Sequence, residues 1–401
     1  MMHTRILLVD DDPFILKLLA SQLAMQGLAP VDACTSGREA LSFLEGPGSA
    51  GQLIFLDLSM PDMDGVEFVR QLVDRRYAGA LVLVSGEDER ILQTAERLAR
   101  AHLLNVLGYL NKPVQSEALR ILLDDWRAAV PKAATRVERI YTPGQVRRAI
   151  AGGELVNFYQ PKVELASGAI KGVEALVRWR HPDDGLVSPD QFVDVAEQHG
   201  LIDELTQYVL GAALAQARLW RDAGLEWRVA VNISMSNLAR LDFPDFVLSE
   251  ITRHGLPATD IILEVTESRL MTNELIPLDI LTRLRLKHIS LSIDDFGTGH
   301  SSLAQLRNIP FDELKIDGGF VHGAAHNDTL RAIFTASLGM ARQLGMQSVA
   351  EGVEDRTDWD FLHQQGCGLA QGYFIAKPMP AEELPRWLAS WKARLPEVAP
   401  Q

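Results

Sequence analysis

The sequence predicts two α/β units in series: a doubly wound parallel sheet over residues 1–127 and a (β/α)8 barrel over residues 143–396, with a linker at 128–142. Three observations carry this. Short apolar runs alternate with amphipathic helical stretches along all 401 residues. Polar residues stand where many of those runs end, as chemistry does in parallel sheets. In the second unit they recur at the interval of a barrel of about 250 residues divided by eight, about 31 per repeat.

Composition sets outer limits. With 47% apolar and 23% charged residues the chain reads as an ordinary globular protein. A net charge of −14 argues against a partner that must have its phosphates neutralised, and no helix-turn-helix or basic stretch suggests DNA. Cys34 and Cys367, the two cysteines, stand in distant contexts, so neither a disulfide framework nor a thiolate metal site is expected. The N-terminal stretch reaches acids at Asp10, too early for a signal segment, and no apolar run approaches the ~18–20 residues of a membrane span. A reduced, cytoplasmic chain without membrane insertion is expected.

In the first unit, Arg5 to Val9 is a short apolar run suited to a strand buried on both faces, and it ends in Asp10-Asp11-Asp12-Pro13. Ile15, Leu18, Leu19 and Leu23 then keep a helical period. Leu53 to Leu56 ends at Asp57, and a turn follows through Met60-Pro61 to Gly65. Leu81 to Val84 ends at Ser85-Gly86, and Val106 to Leu110 ends at Asn111-Lys112-Pro113. Asp10, Asp11, Asp57, Ser85 and Lys112 therefore share the carboxyl ends of the strands. Three carboxylates can hold one Mg2+, one of them can attack phosphorus, and a lysine and a hydroxyl can hold the new phosphoryl oxygens.

This constellation resembles the receiver domain of bacterial response regulators, a flavodoxin-like fold. The resemblance rests on Val-Asp-Asp-Asp-Pro, Leu-Asp-Leu-Ser-Met-Pro-Asp-Met-Asp-Gly, Val84-Ser85-Gly86 and Lys112-Pro113. It implies phosphorylation at Asp57 by a sensor histidine kinase and a Mg2+ held by Asp10, Asp11 and Asp57. Ser85, Lys112 and the aromatic Tyr109 would form the switch. A helical pattern from Ser116 to Trp126 is predicted to stop at Pro131, and Pro143-Gly144 marks a second break.

The barrel's strand candidates are centred on Tyr159-Gln160-Pro161, Val173 to Trp179, Val229 to Asn232 and Ile261 to Glu267. The rest are Leu291 to Asp295, Leu314 to Asp317, Ser348 to Glu354 and Leu369 to Phe374. Helical stretches lie between them, as at 208–220, 276–286 and 329–344. The most informative run is Ser290 to Ser302. Ile289, Leu291 and Ile293 alternate with Ser290, Ser292 and Asp294, and the run closes on Asp294-Asp295 before Phe296 and two glycines. Neighbours on a strand face opposite ways, so the two acids converge only if the strand ends there. Taken alone they fit either a solvated Asx turn or a pair of cations.

A common rim would gather Glu174, Asn232, Glu264, Asp294, Asp295, Lys315, Glu351 and Gln371. All its potential ligands are hard oxygen donors, which selects Mg2+ or Mn2+ over zinc. Two cations about 3.5–4 Å apart suit phosphodiester hydrolysis. Lys315 would orient the water or offset the acids.

The unit resembles the EAL-domain phosphodiesterases of cyclic di-GMP. Glu174-Ala-Leu-Val-Arg-Trp, Tyr-Gln-Pro-Lys, Val-Asn-Ile-Ser, Glu-Val-Thr-Glu, Asp-Asp-Phe-Gly-Thr-Gly, Leu-Lys-Ile-Asp, Ala-Glu-Gly-Val-Glu and Ala-Gln-Gly-Tyr carry the resemblance. It implies a barrel whose first strand runs antiparallel. One metal would sit on Glu174, Asn232, Glu264 and Asp294, and a second on Asp294 and Asp295. Lys315 and Glu351 would position or deprotonate the attacking water. Gln160, Arg178 and Gln371 would contact substrate, and Glu267 and Glu354 would support the loop after Asp295. The product would be linear pGpG, and a homo-oligomer through this domain is expected. His300 departs from the aromatic residue usual there; it reads either as a solvent-facing histidine or as a residue that makes the loop pH-sensitive near neutrality. No Gly-Gly-Asp-Glu-Phe block suggests a cyclase. The alternative is an inactive EAL domain that binds cyclic di-GMP as a receptor.

Overall fold

The computed structural model describes residues 5–45, 53–75, 77–86, 88–102, 104–133, 141–266, 275–297 and 309–398. It divides into two compact units, Met1–Val137 and Glu138–Gln401.

The first unit is a five-stranded, all-parallel sheet. Its strands are β1 (Ile6–Val9), β2 (Asp32–Cys34), β3 (Leu53–Asp57), β4 (Ala80–Ser85) and β5 (Asn105–Asn111), in the order β2-β1-β3-β4-β5. Alternate residues feed two separate cores. Leu7, Val9, Ile54, Leu56, Leu81 and Leu83 pack on one face, and Ile6, Leu8, Leu53, Phe55, Val82 and Val84 on the other. That is why these strands read as unbroken apolar runs. The strand order reverses between β1 and β3, where a crevice opens at the carboxyl ends. Two differences from the sequence reading stand out. The strand β2 is only Asp-Ala-Cys, an edge strand too short and polar to announce itself. The fifth helix runs Ser116–Ala133, past the stop predicted at Pro131. Proline's fixed φ is helical, and close to the end of a helix it removes a single backbone bond.

The second unit is a closed eight-stranded barrel with two short accessory strands. Its strands are β6 (Leu155–Glu164), β7 (Ile170–His181), β8 (Gly185–Val187), β9 (Arg228–Ile233), β10 (Ile261–Thr266) and β11 (Ser290–Phe296). They continue as β12 (Glu313–Ile316), β13 (Gln347–Ala350), β14 (Leu369–Ala370) and β15 (Met379–Pro380). Around the wall the order is β6-β7-β9-β10-β11-β12-β13-β14, and β14 returns to β6. The strand β6 runs antiparallel to both of its barrel neighbours, as the resemblance implied. β8 and β15 are accessory strands on β7 and β6 that the sequence did not signal.

The alternation within the strands is inverted relative to a surface sheet. Apolar residues such as Val231, Leu263, Ile293, Leu314 and Ile316 belong to the shared core of the unit. The alternate residues Glu174, Glu264, Ser292, Asp294, Glu313 and Lys315 are buried too, and the bonds among them show that they turn into the lumen. The helical stretches read from the sequence form as Ile202–Asp222, Leu275–Leu286 and Asp328–Gln343.

Candidate functional site

The barrel site is built around one ammonium group. Lys315, 1% exposed, lies 2.8 Å from Asp294 Oδ1, 2.8 Å from Glu351 Oε1, 3.1 Å from Glu264 Oε2 and 3.5 Å from Glu174 Oε2. These four acids come from four different strands or strand ends, because equivalent positions on successive strands face the same end of the lumen. Two groups of oxygen donors result, each with its ligand atoms within 4.8 Å of one another: Glu174, Glu264 and Asp294, and Asp294, Asp295 and Glu351. Asp294 belongs to both.

The two neighbouring aspartates meet by a route the sequence reading did not foresee. The strand does not end at Asp294 but runs on to Phe296. The pairing of β11 with β12 slips between Ile293 and Phe296, and Asp295 takes φ +54°, a left-handed conformation uncommon outside glycine. The bulge cancels the alternation, so both carboxylates reach the same pocket. The Asp295 N–H donates to Asp294 Oδ1 at 3.0 Å. Gly297 follows at φ +101°, where a Cβ would lie 2.8 Å from the Phe320 ring.

The amides fix Glu174. Asn232 Nδ2 donates to its Oε1 at 2.8 Å, and Gln371 Nε2 donates to its Oε2 at 2.6 Å. Gln371 also donates to Gln160 Oε1 at 3.0 Å, and Gln160 in turn donates to the Ala376 carbonyl. Gly372 makes this possible. At its φ of +159° the chain passes so close to Val353 that a Cβ would lie 2.2 Å from that residue's backbone nitrogen.

Charge is strongly unbalanced here. Lys162 and Lys315 face five carboxylates, Glu174, Glu264, Asp294, Glu313 and Glu351, so ionising all of them leaves 5 − 2 = 3 negative charges uncompensated. The titration pattern follows. Burial and the charge of Glu174 push Glu264 up to about 8. Burial pushes Glu351 well above the usual carboxylate range, and burial with the Asp294 charge pushes Asp295 up to about 6. Burial acts on Glu174 too, but the two lysines and the two amides outweigh it and hold it near 2. Hard donors, shared geometry and a deficit of positive charge fit divalent cations.

Two clefts flank the acids. One, of about 470 Å3, is lined by Gln160, Glu174, Glu351, Asp317 and Tyr373 among others. The other, of about 570 Å3, is more apolar and runs past Pro189, Val193, Leu205 and Asn232. They share Leu176 and Asp295, so Asp295 sits where the two join. Arg178 is half-buried; its Nη1 donates to the Val177 carbonyl, and burial holds its pKa below the usual value. Glu354 lines the first cleft with an exposed side chain 3.9 Å from His322. Glu267 and His300 lie outside the described residues.

Sequence reasoning assigned no role to Lys162 and Glu313. Lys162 donates to Glu264 Oε1 at 2.6 Å and Glu313 Oε1 at 2.7 Å, and Ser292 Oγ donates to the same Glu313 oxygen at 3.2 Å. The signal was present: Lys162 stands two residues from Gln160 and Glu313 two from Lys315, each on the lumen face of its strand.

The first unit repeats the theme in miniature. Asp10, Asp11 and Asp57 offer oxygens within 4.8 Å of one another. Lys112 Nζ lies 2.7 Å from Asp10 and 3.1 Å from Asp57. Burial raises the Asp57 carboxyl against the pull of Lys112, and its Oδ1 is buried without a hydrogen-bond partner. An orphaned carboxylate oxygen beside two more acids fits a bound Mg2+. Ser85 is fully buried at the end of β4, and the half-buried Tyr109 accepts a hydrogen bond from Gln93 at 3.3 Å. Asp12, by contrast, caps the first helix through the Phe14 N–H. No helix among the described residues is long and apolar enough to cross a membrane.

Comparison with known proteins bears on both units. The EAL domain model matches residues 144–378, and the response regulator receiver domain model matches residues 6–124. The cyclic di-GMP phosphodiesterase RocR of Pseudomonas aeruginosa is 32% identical over 381 residues, covering 94% of this chain and 96% of RocR. The bifunctional diguanylate cyclase/cyclic di-GMP phosphodiesterase MucR of the same organism is 43% identical over 252 residues, 63% of this chain. The chain spans only 37% of MucR's length. A solved structure described as a PaMucR phosphodiesterase in complex with c-di-GMP aligns with TM-score 0.58 and 44% identity, covering 60% of this chain and 98% of that one. A charge-deficient rim of oxygen donors in a barrel with an antiparallel first strand, preceded by a receiver-type acidic crevice, thus agrees with sequence matches over nearly the whole chain: the protein belongs to the EAL domain family, its EAL domain following a response regulator receiver domain.

Proposed function

We propose that the chain hydrolyses cyclic di-GMP to linear pGpG, and that phosphorylation of Asp57 regulates it. The observation that carries this reading is the convergence of two overlapping carboxylate groups beside Lys315, next to two adjoining clefts. The named activities of RocR and MucR support it.

Glu174, Asn232, Glu264 and Asp294 would hold one Mg2+ or Mn2+, and Asp294 with Asp295 a second. When bound, such cations supply electrophilic stabilisation of the phosphodiester and acidify the attacking water. Arg178 binds a phosphate oxygen, and Gln160 and Gln371 orient the substrate against the rim. Glu351, 2.8 Å from the Lys315 ammonium, accepts a proton from the water, and Lys315 offsets the charge of the hydroxide formed. Water adds to phosphorus, the P–O3′ bond breaks, and the proton taken from the water returns to the leaving 3′ oxygen, so that one 3′–5′ bond is opened. Glu354 and Glu267 support the loop that follows Asp295.

In the receiver, Asp57 is the phosphoacceptor, Asp10 and Asp11 complete a Mg2+ site, and Lys112 and Ser85 receive the phosphoryl oxygens. The Gln93–Tyr109 contact is the element that would respond. A sensor histidine kinase as phosphodonor and self-association through the EAL domain belong to the same reading.

Purified protein with Mn2+ or Mg2+ should convert cyclic di-GMP to pGpG on chromatography. Glu174→Ala should lower the rate by at least about 100-fold, the upper end for changes next to a metal. Binding of the dinucleotide without turnover in either metal would favour the receptor alternative. A phosphoryl-group mimic on Asp57 should change rate or substrate affinity; no change in both would separate the receiver from the proposed control.

A further inference from the structure

Below the candidate ligand Glu264 lies a second charged layer, Lys162 and Glu313 with Ser292, that the proposed chemistry does not use. Lys162, Glu264, Ser292 and Glu313 are each at most 1% exposed. Around the wall, β6 is three strands from β10 in one direction and three from β12 in the other. The Lys162 side chain therefore crosses the lumen, and its ammonium reaches Glu264 Oε1 at 2.6 Å and Glu313 Oε1 at 2.7 Å. The other oxygen of Glu264, Oε2, faces Lys315 at 3.1 Å. Glu264 is thus clamped between a lower and an upper ammonium, one on each oxygen.

Such an arrangement is a poor way to stabilise a barrel. Desolvating a buried ion pair offsets most of its attraction, and well-packed apolar side chains usually serve as well or better. Glu313 also keeps Oε2 buried without a hydrogen-bond partner, a further cost. What the layer does achieve is geometric. One oxygen of Glu264 is anchored from below, which fixes the rotation of the carboxylate and the direction in which its other oxygen points.

We propose that Lys162 and Glu313 are positioning residues for the candidate metal ligand Glu264, with Ser292 holding Glu313 in register. This deepens the metal-dependent reading of the rim and rests on it. Lys162 and Glu313 touch neither substrate nor cation; they act through the orientation of Glu264, as outer partners of metal ligands do.

The test is Mn2+ binding, measured calorimetrically on the full chain in an Asp11→Asn background, so that the receiver site does not contribute. Melting of the metal-free protein is followed in parallel. Lys162→Met/Glu313→Leu removes both charges of the lower layer and leaves no lone one behind. It should melt within a few degrees of its parent, yet bind Mn2+ at the barrel about 10- to 100-fold more weakly. If it does not fold, Lys162→Gln/Glu313→Gln keeps polar partners in place and should show the same loss. Unchanged Mn2+ affinity in a folded double variant would overturn the positioning role. Glu264→Gln separates the two levels of the reading. If it too leaves Mn2+ binding unchanged, the rim is not the metal site. If it abolishes binding while the double variant binds like its parent, the rim stands and only the role of Lys162 and Glu313 falls.

Discussion

The two acidic sites of this chain solve one electrostatic problem differently. In the receiver, Lys112 reaches two carboxylates with 19% of its side chain still exposed, and one oxygen of Asp57 is left unpaired. In the barrel, Lys315 is 1% exposed and touches four carboxylates, and a second lysine lies beneath it. The open sheet offers one crevice fed by neighbouring strands, so few charges meet and water stays close. The closed wall aims eight strands into one lumen, so charges meet in layers and solvent is excluded. A site proposed to accept and lose a phosphoryl group keeps an oxygen of Asp57 unpaired. A site that must hold its ligands still engages nearly all of them.

This contrast makes a graded set of expectations. The largest concerns Lys315. Lys315→Met leaves buried acids without their central counter-charge, and denaturation of the metal-free protein should show the barrel losing about 3–5 kcal/mol. Saturating Mn2+ should restore part of that loss, because a cation supplies the missing charge. The counterpart Lys112→Met removes only charge-assisted contacts at a partly open site. It should cost the receiver about 1.5–3 kcal/mol. Equal losses in the two units would mean that the layering of charge in the barrel has no energetic consequence.

The smallest effect is expected where water screens most. His322 Nδ1 lies 2.8 Å from Asp358, and the His322 side chain is half exposed. The hydrogen bond to Asp358 outweighs burial and raises the histidine pKa. A raised folded-state pKa means the contribution is present below the unfolded value of about 6.5 and is lost as pH rises through the folded value. His322→Gln should therefore be less stable than its parent by under about 1 kcal/mol at pH 5.5. The gap should close by pH 8.5, as read from urea midpoints. A gap that grows with pH would contradict the sign.

Much of this was legible in the residues. Apolar runs buried on both faces announced the parallel strands, and the spacing of Asn232, Glu264 and Asp294 placed them on one rim. What escaped was whatever depends on contacts across space. Nothing in the alternation of β6 shows that Lys162 spans the lumen to Glu264 and Glu313. Nothing in Asp-Ala-Cys announces an edge strand, since its pairing comes from β1. The meeting of Asp294 and Asp295 was foreseen, but its cause was not. A left-handed aspartate in a bulge is a tertiary choice, imposed by the register with β12.

The antiparallel first strand has a consequence for the order of assembly. Because β6 closes the wall against β14, Glu164 pairs with Leu369 and Gln160 bonds to Gln371. Those contacts join the start of the barrel to nearly its end, the kind of distant pairing that slows folding. During synthesis the acids of β7 to β13 all emerge before the strand that completes their enclosure. A nascent chain that stops short of Gln371 carries an open, strongly acidic sheet, and Glu174 still lacks one of the two amides that orient it.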